Sequence, residues 1–73
     1  MLTQREMQIA KLIAHGMIEK EIANRLLISP LTVHAHTRTI RQKTGARNMA
    51  DITRLYITRL RYNSLLKSLR HDI

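Results

Sequence analysis

Three residues punctuate this chain: Gly16, Pro30 and Gly45 are its only glycines and its only proline. Because glycine and proline are the strongest local breakers of regular structure, the stretches between them are free to be continuous. Three of the four stretches also carry their own start signal. Thr3 followed by Glu6 is a T-x-x-E capping box, in which each side chain satisfies a free backbone N–H at a helix start. Ile9, Leu12 and Ile13 then recur at helical spacing up to Gly16, a residue suited to the left-handed cap that closes a helix. A first helix is therefore predicted over about residues 4–15. "EKEIANRL" places Ile22, Ala23 and Leu26 on one side of a second helix near 19–26. Ser29-Pro30 starts a third, since serine caps and proline fits the first helical position, where its missing N–H is not needed. That helix is predicted over about 30–43, with Gly45 closing it. Asn48 can cap a fourth, and with no breaker after Met49 it is predicted to run from 49 to about 69.

No strand-type alternation, hairpin dipeptide, repeat or low-complexity tract interrupts this pattern. The fold class is accordingly all-α: four helices, the last one long, in a single domain over residues 1–73. A chain of 73 residues has room for only one small core. Only Leu27-Ile28-Ser29 separates the second helix from the third, so the two form a helix-turn-helix over about 19–43, although this turn lacks the glycine often found there.

Charge narrows the partners. The net charge of +8 is large enough to attract nucleic acid or anionic lipid. It is unevenly placed. Residues 1–21 hold three basic and three acidic side chains, whereas residues 22–50 hold Arg25, Arg38, Arg41, Lys43 and Arg47 with no acid. The middle third is thus the candidate binding face. With Tyr56 and Tyr62 as the only aromatics, the chain has too few stacking platforms for the usual single-strand binders, so duplex DNA fits better. The absence of cysteine excludes disulfides and thiolate metal sites. The polar start "MLTQREMQ" lacks a signal-peptide core, and no apolar run approaches the roughly 18 residues that span a bilayer, so a soluble, cytoplasmic protein is expected.

At about 100° per residue, Val33, Thr37, Ile40 and Thr44 of the third helix fall in one sector, which faces the core. His34, Ala35, Arg38, Arg41 and Gln42 point the other way. One small residue among long or planar hydrogen-bonding ones suits the major groove. Arginine can pair with guanine O6 and N7, Ala35 can touch a thymine methyl, and His34 or Gln42 can reach base edges or phosphate. A solitary basic helix is better explained by solvation; its place as the second helix of a helix-turn-helix reverses that preference in favour of the groove. Metal binding is not expected, because His34 and His36 diverge by about 200° and no cysteine or nearby acid completes a site. His36, at the edge of the inward sector, is expected to pack. No nucleophile, base and orienting acid come together, and no glycine-rich loop could cradle a phosphate, so neither an enzyme nor a cofactor is expected.

The segments "LTQRE", "LIAHGMIEKEIANRLLIS", "TVHAH", "IRQKTG" and "ARNMAD" together resemble the LuxR-type (GerE-like) helix-turn-helix domain of bacterial transcription regulators, over about residues 2–51. The resemblance implies a third helix lying in the major groove of double-stranded DNA and a fourth supplying a dimer contact. By position it implies base contacts from His34, Ala35 and Arg38. Phosphate contacts are implied from Lys20, Ser29, Thr32, Thr37, Arg41, Gln42 and Lys43, although the helical wheel turns Thr37 inward. RNA polymerase is a further candidate partner. Family domains of this type normally end a longer regulator, behind a phosphoacceptor or ligand-binding domain; both an excised domain and a stand-alone member fit the resemblance.

Three positions depart from the family pattern. His34 stands where lysine is usual, and its charge is lost near neutral pH unless a phosphate holds the proton, so affinity is expected to depend on pH. Ile18-Glu19 replaces a Ser or Thr cap, so the start of the second helix is expected to fray. Thr44 replaces a leucine before Gly45, which weakens the apolar closure of the third helix.

Leu55, Tyr62 and Leu69 are seven apart, and with Leu65 and Leu66 they form the expected dimer interface, although the first half of the stripe, Ile52, Leu55 and Tyr56, is better explained by packing on the domain's own core. The flanks are mostly basic, so the homodimer is expected to be weak until DNA holds two half-sites about one helical turn apart. The competing function is a protein-interaction module that pairs through the fourth helix with a full-length regulator. Region four of a sigma factor and a membrane-surface helix fit less well, the latter because the basic residues of the fourth helix are not gathered on one face.

Overall fold

The computed structural model describes residues 1–60. Four helices follow one another: α1 (Gln4–Ala14), α2 (Glu19–Leu26), α3 (Pro30–Thr44) and α4 (Met49–Leu55), the last continuing into one π-type turn over Tyr56–Leu60. The element starts agree with the caps read in the sequence. Thr3 Oγ1 accepts the Glu6 N–H at 3.1 Å while the Thr3 N–H donates to Glu6 Oε1 at 2.8 Å, both halves of a capping box. Ser29 Oγ accepts from the Thr32 N–H at 3.1 Å, and Asn48 Oδ1 from the Asp51 N–H at 2.9 Å.

The expected fraying of α2 is countered from an unexpected side. Ile18 has no side-chain acceptor, but its own N–H donates to Glu21 Oε1 at 2.9 Å, so half of a capping box survives without a cap residue. Thr44 also behaves otherwise than an absent leucine suggests. Its hydroxyl donates to the Ile40 carbonyl at 2.7 Å and accepts the Ala46 N–H at 3.3 Å, closing α3 by hydrogen bonds beside the buried Ala46.

The predicted unbroken fourth helix differs most. Regular α geometry stops at Leu55, and the next five residues widen into the π turn. Thr58 donates to the Arg54 carbonyl at 2.8 Å, a back-bond of the kind that perturbs a helical ladder without any glycine or proline. The residues expected at a dimer interface, Tyr62, Leu65, Leu66 and Leu69, and the predicted stretch to residue 69, lie outside the described residues.

One core unites the helices. Ile9, Ala10 and Ile13 of α1, Ile22 and Ala23 of α2, Val33 and Ile40 of α3, Ala46, and Ile52 and Leu55 of α4 are all buried. Leu55 therefore belongs to this core, which corrects its expected place in a dimer seam: at 8% exposure it has almost no surface left to offer a partner. Among the described residues isoleucine and valine supply every fully buried large side chain, and their stiff branched shapes fix how α3 sits against α1 and α2.

The turn of the helix-turn-helix solves the missing-glycine problem by strain. Leu27 takes left-handed angles, φ 57° and ψ 42°, the only described non-glycine residue with positive φ. Its N–H and that of Ile28 both reach the Ala23 carbonyl, and Ile28 tucks against the core while Leu27 stays 91% exposed. Burial of Ile28 is the compensation for a leucine held where glycine would be relaxed.

Candidate nucleic-acid interface

Val33 and Ile40 are completely buried, and with Thr37 they pin one side of α3 to the domain. His34, Ala35, Arg38, Arg41 and Gln42 are consequently turned to solvent, as the helical wheel anticipates. Ser29 and Thr32 sit exposed at the leading end, their hydroxyls 2.9 Å apart, and Lys20 is exposed near the start of α2. The two neighbouring histidines part company: His34 is exposed and His36 half-buried.

Two of the residues expected at phosphate do not stand on this face. Thr37 is buried, and its hydroxyl lies 2.8 Å from both Glu19 Oε2 and the His34 carbonyl, so its hydrogen-bonding capacity is used inside the domain. Lys43 turns to α1, where Nζ donates to Glu6 Oε1 at 2.8 Å and to the Met1 carbonyl at 3.3 Å. The Lys43 ammonium, together with the Thr3 N–H, holds the Glu6 carboxyl below the usual carboxylate range.

Pairing redistributes the positive charge. Arg47 binds Asp51 through its backbone N–H at 3.0 Å and its Nε at 3.2 Å, which lowers the pKa of that carboxyl, and Arg54 lies 3.8 Å from the other oxygen. Among the described residues Arg25, Arg38 and Arg41 make no ion pair. Thus Arg38 and Arg41 of the outward face are left without an acidic partner among the described residues, while Lys43, Arg47 and Arg54 pair within the domain.

Glu19 is the residue that sequence reasoning missed. It reaches across from α2 to α3, accepting from Thr37 and standing 3.3 Å from His34 Nδ1, so the position of His34 is tied to the neighbouring helix. Spacing gives no hint of a contact between positions 15 apart. Leu31 is the second omission. It is 81% exposed in the first turn of α3, on the same side as Ala35 and Arg38.

Comparison with known proteins decides the family. The model of "Bacterial regulatory proteins, luxR family" matches residues 1–56. The chain belongs to the luxR family of bacterial regulatory proteins. Relatives of this luxR-family domain include the transcriptional regulatory protein UhpA of Escherichia coli (strain K12), 45% identical over 53 residues, which are 73% of this chain and 27% of UhpA. The C4-dicarboxylate transport transcriptional regulatory protein DctR of Rhodobacter capsulatus is 41% identical over 50 residues, 68% of this chain and 25% of that protein. The oxygen regulatory protein NreC of Staphylococcus aureus (strain JH9) is 41% identical over 51 residues, 70% and 24% of the two chains. The luxR-family domain thus spans about a quarter of the length of these curated relatives. No solved structure matches it significantly. Membership brings the coarse function with it: a helix-turn-helix domain of DNA-binding transcription regulation. No helix among its described residues is long and apolar enough to cross a membrane.

Proposed function

We propose that this luxR-family domain reads duplex DNA by sequence, with α3 in the major groove, and regulates transcription from the cytoplasm. One observation carries the reading: the outward side of α3 presents His34, Ala35, Arg38, Arg41 and Gln42 with no acid among its own residues, while Val33 and Ile40 lock the opposite side. Base contacts fall to His34, Ala35 and Arg38, and phosphate contacts to Lys20, Ser29, Thr32, Arg41 and Gln42. Two copies bind two half-sites about one helical turn apart, an arrangement supported by the heptad spacing of Tyr62 and Leu69 in the sequence.

Selection of bound duplexes from a random library, followed by anisotropy titration on the winner, tests this. Arg38→Ala costs roughly 1–3 kcal/mol and relaxes preference at one base pair, whereas Arg41→Ala weakens all sequences alike and lowers the salt slope by about one. Equal weakening of every sequence by both changes sinks the assignment of Arg38 to base reading. A chain that shows no duplex preference yet forms heterodimers with a full-length luxR-family regulator is instead an interaction module.

A further inference from the structure

Leu31 is a large apolar side chain left 81% exposed on the side of α3 that otherwise carries polar and charged groups. A lone exposed leucine is unremarkable in itself. Its register is what matters. Leu31, Ala35, Arg38 and Gln42 succeed one another at steps of four, three and four, which keeps all four within about 40° of one line along the helix. Leu31 heads that line, in the first turn, and the leading residues of a recognition helix are the ones that reach base edges. Leu27, by contrast, is exposed on the turn and stands off the helix altogether.

The chemistry of the groove leaves few choices for such a side chain. Leucine can neither donate nor accept a hydrogen bond, and the one apolar group that base edges present in the major groove is the thymine C5 methyl. Over a G·C pair the same leucine would cover O6, N7 or N4 without replacing the water lost, so it discriminates both by what it contacts and by what it leaves unsatisfied. Ala35 is too short to reach as far. From these facts we infer that Leu31 is a further specificity-determining residue, packing on the methyl of a thymine that faces the first turn of α3. The inference rests on the DNA-reading role proposed above and adds to it a preferred base.

The test uses the full 73-residue chain and its selected duplex. Each thymine is replaced in turn by uracil, which removes only the methyl. At one position per half-site, binding weakens roughly fourfold, the worth of burying one carbon group. A T·A to G·C exchange there weakens it by about tenfold or more. Both effects disappear in Leu31→Ala, whose fold is checked by circular dichroism and is spared because the side chain is exposed. A duplex that binds equally with thymine and uracil at every position overturns the contact, as does a set of uracil effects all of which survive Leu31→Ala, since a methyl touched by Ala35 alone is indifferent to that change. Failure to select any preferred duplex removes the DNA-reading role itself, and this inference with it.

Discussion

Glu6 Oε1 accepts from the Thr3 N–H and from the Lys43 ammonium, both at 2.8 Å, so one buried oxygen caps α1 and fastens the far end of α3 to it. The first half was legible: a T-x-x-E pattern declares its own partners. The second was not, because Lys43 is 37 positions away and only the fold brings it there. Its loss from the phosphate-contacting set follows directly. Since folding lowers the Glu6 pKa, the stabilisation is complete above the unfolded carboxylate value and is lost as pH falls through the folded one. Glu6→Gln is expected to lower stability by about 1.5 kcal/mol at pH 7. The gap from the wild type should close progressively on acidification below about pH 4.3, the ordinary glutamate range. Urea midpoints measured from pH 7 to pH 3 check this; a gap of constant size would mean that the Glu6 charge is not what matters.

Among the elements, the starts of α1, α3 and α4 were readable, while the start of α2 and the end of α4 were not. Thr3, Ser29 and Asn48 each cap as their residue types dictate, and Gly16 and Gly45 take the positive φ that their positions suggest. The end of α4 at Leu55 is announced by no breaker residue, and the back-bond of Thr58 to the Arg54 carbonyl in the π turn is one that a threonine also makes within regular helix, as Thr39 does in α3. The turn between α2 and α3 offers the sharpest element-level prediction. Leu27 bears a left-handed conformation worth about 1–2 kcal/mol of strain, against about 0.5–1 kcal/mol of chain entropy for glycine. Because its side chain is 91% exposed, Leu27→Gly sacrifices little packing and should stabilise the domain by roughly 0.5–1 kcal/mol. A lower denaturation midpoint in that variant would show that Leu27 packs in a way its exposure denies.

At the scale of the molecule, periodicity correctly assigned Val33, Ile40 and Ile52 to the inside but could not say where a small core ends and a partner surface begins. Leu55 lies on that boundary, and the fold settles it inward. Leu55→Ala should therefore cost about 2–4 kcal/mol of folding stability. Its melting temperature should fall by the same amount at low and high protein concentration; a loss seen only at high concentration would return Leu55 to an interface. The bulk charge of the middle third likewise concealed a division of labour, with Lys43 and Arg47 paired internally and Arg38 and Arg41 left for solvent. That division makes the domain a promising scaffold for reprogramming, since Leu31, Ala35, Arg38 and Gln42 can be exchanged without touching the core. His34 is the exception. Tethered to Glu19 at 3.3 Å, it shares its setting with a residue of α2, so a foreign recognition helix grafted onto α3 must bring a matching residue 19 or meet a carboxylate made for histidine.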